Sequence, residues 1–150
     1  MQKYFITYLL VSVITMLTLS CQENQRSPIP DYPVSLKLDL AGEYSTFRGS
    51  SCEAHTFITP ILAADRLGFG GILVCTDLYS NYCAFDLACP YEAKNNIRVH
   101  PDGLKAVCDS CGSQFDICET GLGVVSKGPS KYPLKKYQAR VSGNYLVIFR

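Results

Sequence analysis

The sequence predicts a small all-β domain, a sandwich or barrel of many short strands. Three observations predict it. Runs rich in β-branched and aromatic residues recur along residues 33–150, broken by Gly, Pro, Asp and Asn turns at roughly 8–12-residue spacing. Only one segment, Pro60–Arg66, looks helical, and it is too short to shape a fold. The hydrophobic share of 47% against 18% charged residues belongs to a packed chain, not a disordered one.

The elements follow in order. Val34–Leu40 alternates apolar and polar residues, the mark of a half-buried strand. Gly70–Cys75 is a short β-rich run after a glycine break, and Tyr82–Asp86 follows the polar turn Asp77–Asn81. Leu104–Val107 follows the turn Pro101-Asp-Gly103, and Gln114–Ile117 precedes Thr120-Gly121. The clearest hairpin closes the chain: Tyr137–Ser142, the link Gly143-Asn144, then Tyr145–Phe149. A two-residue Gly-Asn link between β-rich runs fits a primed turn.

The front end reads differently. Lys3 precedes an apolar run of about sixteen residues, Tyr4–Leu19, which suits a signal segment and is short for a membrane span. Ser20-Cys21 then gives way to the polar Gln22-Glu-Asn-Gln-Arg26. A small residue before a cysteine after such a run resembles the lipobox of bacterial lipoproteins, with Thr18 where that motif usually has Leu. The resemblance implies a signal peptide over 1–20 and lipidation at Cys21. An uncleaved anchor with an incidental cysteine is the alternative. Gln22–Tyr32 is polar with prolines, so residues 21–32 are expected to be a tether and 33–150 the domain. The expected location is the cell envelope, membrane-anchored, on the periplasmic side or at the outer membrane, where disulfides persist.

Charge limits the partners. The chain has 14 basic and 13 acidic residues. Loss of residues 1–20 removes only Lys3, leaving 13 against 13. Neutrality argues against nucleic acid and against polybasic attachment to anionic lipid. The membrane partner expected here is reached through the lipid anchor, and an envelope or redox protein partner is left unnamed.

Cysteine is the informative residue: eight in 150, with only two histidines, His55 and His100. Lipidation of Cys21 leaves seven, an odd number that disulfides alone cannot absorb. The central stretch is Cys89-Pro90-Tyr91, then sixteen residues (92–107), then Cys108-Asp-Ser-Cys111-Gly-Ser-Gln-Phe-Asp116. Gly121-Leu-Gly, Lys127-Gly-Pro129 and Pro133-Leu-Lys-Lys-Tyr137 follow.

This order and spacing resemble the Rieske [2Fe–2S] domain family over residues 70–150. The family's pattern is Cys-x-His, about sixteen residues, then Cys-x-x-His. The resemblance implies a Rieske-like sandwich or barrel with two facing cysteine-bearing loops. It places Cys89 and Cys108 at the cysteine ligand positions, with Tyr91 and Cys111 where the histidines belong. The two imidazoles of a Rieske centre raise its potential above that of all-cysteine clusters, so a high-potential carrier of the usual kind is not expected.

Three outcomes stay open at this site. The first is a degenerate site with a structural or binding role, closed by a structural metal or by a Cys89–Cys108 or Cys108–Cys111 disulfide. The second is a [2Fe–2S] electron-transfer protein using Cys89, Cys108 and Cys111, with Tyr91 or Cys83 as fourth ligand. The third is a cysteine zinc site. A [2Fe–2S] cluster, a single metal ion and no cofactor stand level.

The remaining residues take plainer readings. Cys75 and Cys83 flank a turn near Tyr79, so they can form a cross-strand disulfide or be two buried thiols. Cys52 and Cys118 are core residues or a long-range pair. The ten tyrosines read as packing. No Ser-His-Asp order, paired catalytic carboxylates or phosphate loop appears, so enzyme activity finds no support beyond electron transfer at a bound cluster.

Overall fold

The computed structural model describes residues Ser27–Arg150. The expected signal segment, Cys21 and the first part of the tether lie outside the described residues. Eleven strands are present: β1 (Val34–Asp39), β2 (Ala54–Phe57), β3 (Arg66–Leu67), β4 (Ile72–Thr76), β5 (Tyr82–Asp86), β6 (Val99–Asp102), β7 (Lys105–Cys108), β8 (Gln114–Asp116), β9 (Val124–Lys127), β10 (Lys136–Ser142) and β11 (Tyr145–Phe149). The one helical element among the described residues is a single 3-10 turn, Ser45–Phe47. The chain is all-β, as the sequence predicts. Pro60–Arg66 is not a helix: the Asp65 carboxylate accepts the amides of Ile61 (3.0 Å) and Leu62 (2.7 Å) and closes a turn before β3.

The strands form two sheets. One has seven strands in the order β2-β4-β5-β10-β11-β1-β3, and the other has four in the order β6-β7-β8-β9. All named pairings are antiparallel, so tight hairpins suffice to connect neighbours. The β10–β11 hairpin turns on Gly143-Asn144, with Gly143 at φ +60° and Asn144 not in the positive region, the primed geometry that matches strand twist.

Two apolar cores flank β4 and β5. Ile72, Val74 and Ala84 pack with Leu36, Leu38, Phe47, Leu146 and Ile148 in one core. Leu73, Cys75, Cys83 and Phe85 face the other, which holds Val99, Ala106, Phe115 and the cysteines Cys89 and Cys108. Side chains alternate across a strand, so a strand walled on both sides must be apolar throughout. That explains why Ile-Leu-Val-Cys-Thr in β4 is buried at every position, while β1, facing one core, alternates buried and exposed.

Part of the expected tether is docked. Ile29 is buried. The Lys135 ammonium donates to the carbonyls of Ile29 (2.8 Å) and Pro30 (2.7 Å) and to the Asp31 carboxylate (2.5 Å). Arg150 also bonds Asp31. Arg150 first, then Lys135, holds the Asp31 carboxyl well below the usual carboxylate range. Ser27–Asp31 therefore form a strap on the domain.

Candidate metal centre

Two loops bring three thiols together. The first leaves β5 and carries Cys89. Its root is fixed by Asp86, a fully buried carboxylate in an otherwise apolar run. Asp86 accepts the amides of Phe69 (2.9 Å), Gly70 (3.0 Å) and Ala88 (2.7 Å) and the Tyr137 hydroxyl (2.5 Å). A buried charge stands only when its lone pairs are filled, and four donors fill them. Burial and Asp86 together raise the Tyr137 phenol well above its ordinary value, so it stays a donor. The loop closes where the Cys89 amide meets the Ile97 carbonyl at 3.0 Å and Ala88 bridges Arg98.

The second loop follows β7. Gly112 donates its amide to the Cys108 carbonyl at 2.8 Å, and Cys108 donates to Ser113 at 2.9 Å, a tight turn with two thiols on it. Gly112 takes φ +71°, which a side chain would disfavour. The Gly128 loop lies over this turn so closely that a Cβ at Gly128 would stand 2.5 Å from the Ser113 Cα. Ser113 is fully buried, and its hydroxyl accepts the Ser130 amide at 3.1 Å and meets the Cys111 sulfur at 3.2 Å. Across the loops, Ser110 donates to Glu92 at 3.0 Å.

The sulfurs of Cys89, Cys108 and Cys111 all lie within 4.8 Å of one another, and Cys89 stands 3.6 Å from Cys111. An ion with metal–sulfur bonds of about 2.3 Å in a tetrahedron sets its sulfurs about 3.8 Å apart. The Cys89–Cys111 separation is close to that value, and the third sulfur lies within 4.8 Å of both. Burial pushes the Cys89 thiol up to about 12, against the pull of the Glu92 and Tyr91 backbone amides. Partial burial also raises Cys111, but the Ser113 hydroxyl and amide and the two neighbouring thiols outweigh it and bring it below its ordinary value. A bound cation would remove the remaining cost of ionising three adjacent thiols.

The structure brings together Cys89, Cys108 and Cys111 as predicted, and as free thiols, so neither a Cys89–Cys108 nor a Cys108–Cys111 disulfide closes the site. Cys83 does not join this cluster. It lies in β5 directly opposite Cys75 of β4, and strand geometry turns it to that partner. These two are likewise free thiols rather than the cross-strand disulfide that was one expectation. The disulfide in the structure is Cys52–Cys118, 66 residues apart, with Cα atoms 5.1 Å apart. Tyr91 reaches Cys89 through its backbone amide, while its residue is 55% exposed. His55 bonds Glu53 at 2.9 Å and packs on Phe47, and His100 faces Asp109 at 3.5 Å. Neither joins the thiols.

Sequence reasoning missed Asp86 and Ser113. Asp86 was legible as the single charge in a buried run, and Ser113 only through its position two residues after a thiol.

Among known proteins, no family description matches the chain, and no curated protein matches it. A solved structure titled "Complex of reduced oxygenase and oxidized ferredoxin in carbazole 1,9a-dioxygenase" matches with a TM-score of 0.50 and 16% identity, over 77% of this chain and 93% of that chain. The likeness is one of fold: this chain is an all-β domain with a Rieske-like structural neighbour. The donor set does not fit the cluster that such folds imply. A Rieske centre needs two imidazoles on one of its irons. No histidine is in the thiol cluster, which consists of Cys89, Cys108 and Cys111.

Proposed function

We propose that this protein is an exported, lipid-tethered, Rieske-like domain whose cysteine site holds one thiophilic metal ion in a structural or binding role. The observation that carries this reading is the convergence of Cys89, Cys108 and Cys111 within 4.8 Å. Thiolate-rich tetrahedral sites favour zinc among common divalent ions. Cys111 is the half-buried member of the three, so the fourth position opens toward solvent and can take water or a small ligand. The domain would be anchored at Cys21 and face the periplasm or outer membrane surface.

The test is to purify the full chain from membranes without oxygen and measure metal, labile sulfide and absorption. About one zinc per chain, lost together with Cys111→Ser, is the expected result. Iron and sulfide at about two each, with visible charge-transfer bands, would replace this reading with the electron-transfer one. Retention of the Cys21→Ser variant in the membrane fraction would remove the lipid anchor from the proposal.

A further inference from the structure

A second group of sulfurs, outside the candidate metal centre, lines the same core. Cys75 and Cys83 are exact register partners across β4 and β5, both buried, both free. They face the same core as Leu73 and Phe85. The two thiols act on each other, which lowers Cys83 and raises Cys75, and Lys136 acts on both.

The loop after β8 covers this pair. The Cys75 thiol donates to the Ile117 carbonyl at 3.7 Å. Gly121 lies so close that a Cβ there would be 2.8 Å from the Cys83 sulfur. Lys136 holds the loop by donating to the Gly121 carbonyl at 2.7 Å. Between Ile117 and Gly121 sits Cys118, bonded to Cys52. Cys52 lies two residues before Ala54, which pairs with Cys75, so the chain brings Cys52 to the end of β2 beside β4. It is half-buried and holds φ +60°, a left-handed conformation costly for a cysteine. A disulfide with an accessible member on a strained backbone belongs to the labile class.

From this juxtaposition we propose that Cys75 and Cys83 exchange with the Cys52–Cys118 disulfide, so that one bond is shared between two cysteine pairs. A thiolate of the inner pair attacks one sulfur of Cys52–Cys118. That bond breaks, a mixed disulfide forms, and the departing sulfur leaves as thiolate. The second inner thiol, losing its proton, attacks the mixed disulfide and releases the other outer sulfur. The result is a Cys75–Cys83 bond and two thiols at Cys52 and Cys118. The two protons move from the inner pair to the outer pair, and no external oxidant is consumed. In the second state the Ile117–Gly121 loop loses its covalent pin and presents a dithiol able to reduce a disulfide of a partner protein.

The full chain is incubated without oxygen or added thiol at pH 8. Samples are alkylated over time, digested without reduction and mapped by mass spectrometry. The expected result is a rise of the Cys75–Cys83 peptide, on the order of tenfold over the zero-time sample, with a matching fall in Cys52–Cys118. In the Cys52→Ser variant, oxidised glutathione is expected to yield the Cys75–Cys83 bond. Both disulfides on one wild-type molecule would overturn the proposal. So would Cys75 and Cys83 remaining open to alkylation at every time point and in the variant. The wild-type arm holds whether or not the variant folds.

Discussion

In the seven-stranded sheet, β1 alternates without a break, and its inward residues Leu36 and Leu38 pack against Phe47, Leu146 and Ile148. In the four-stranded sheet, β8 has three residues, and β9 exposes three of its four positions. The first sheet carries its own apolar load. The second sheet adds Val99, Ala106, Cys108 and Phe115 to a core that it shares with β4 and β5, and polar loop contacts through Ser113 and Ser130 and the thiols complete its edge. The difference teaches that the candidate metal centre sits where short strands depend on the core residues of β4 and β5 for their packing. The ion proposed there would contribute to folding as well as to chemistry.

The strongest way to break this comparison is to damage the larger core. Phe47→Ala removes a fully buried ring and is expected to cost about 3–5 kcal/mol, read as a fall in the urea midpoint. Hydrogen exchange should then speed up in both sheets, because the smaller leans on β4 and β5. Acceleration confined to the larger sheet would show the two cores to be independent.

Tyr137→Phe comes next. Tyr137 packs in the larger core while its hydroxyl supports Asp86 at the root of the Cys89 loop. Losing one bond to a buried charged group is expected to cost about 1.5–3 kcal/mol. Weaker metal retention should accompany the stability loss. Unchanged metal content in equilibrium dialysis would separate the loop from its support.

Metal removal tests the smaller sheet alone. A chelator is expected to raise amide exchange in β7 and β8 on the order of tenfold while β10 and β11 stay protected. Equal exchange with and without chelator would mean that the ion adds nothing to the sheet.

The smallest effect concerns the strap. The carboxyl of Asp31 is lowered in the folded chain, so its contribution is present above the unfolded value near about pH 4 and is lost as pH falls through the lowered folded value. The amide resonance of Ile29 should shift in acid while resonances of β10 hold. Movement of both together would indicate general acid unfolding instead.

Much of the fold was legible because β-rich runs bounded by turn residues mark the seven strands that the sequence predicts. Tyr82–Asp86 and Tyr145–Phe149 appear with their predicted bounds. The strands that escaped notice lack that signal. Ala54–Phe57 is an edge strand with one buried residue, and Arg66–Leu67 is a two-residue pairing. Val99–Asp102 carries Pro101 and Asp102, which look like turn residues, although the chain actually turns at Gly103-Leu104. The three site thiols were legible from spacing. Cys52–Cys118 was legible only as one of two readings, a long-range pair or core residues, because a contact across 66 residues leaves no local periodicity to decide between them.

Lys135 has a mechanical consequence. It grips Ile29, Pro30 and Asp31 with one ammonium and stands immediately before β10, a strand in the interior of the larger sheet. A pull on the chain ahead of Ser27 meets this grip before it reaches β1. The force enters the strongest part of the molecule along a strand, and the ladder between β1 and β11 is spared from unzipping. The Lys135 carbonyl also accepts the Asp86 amide at 2.8 Å, so the same residue ties the strap to the root of the Cys89 loop.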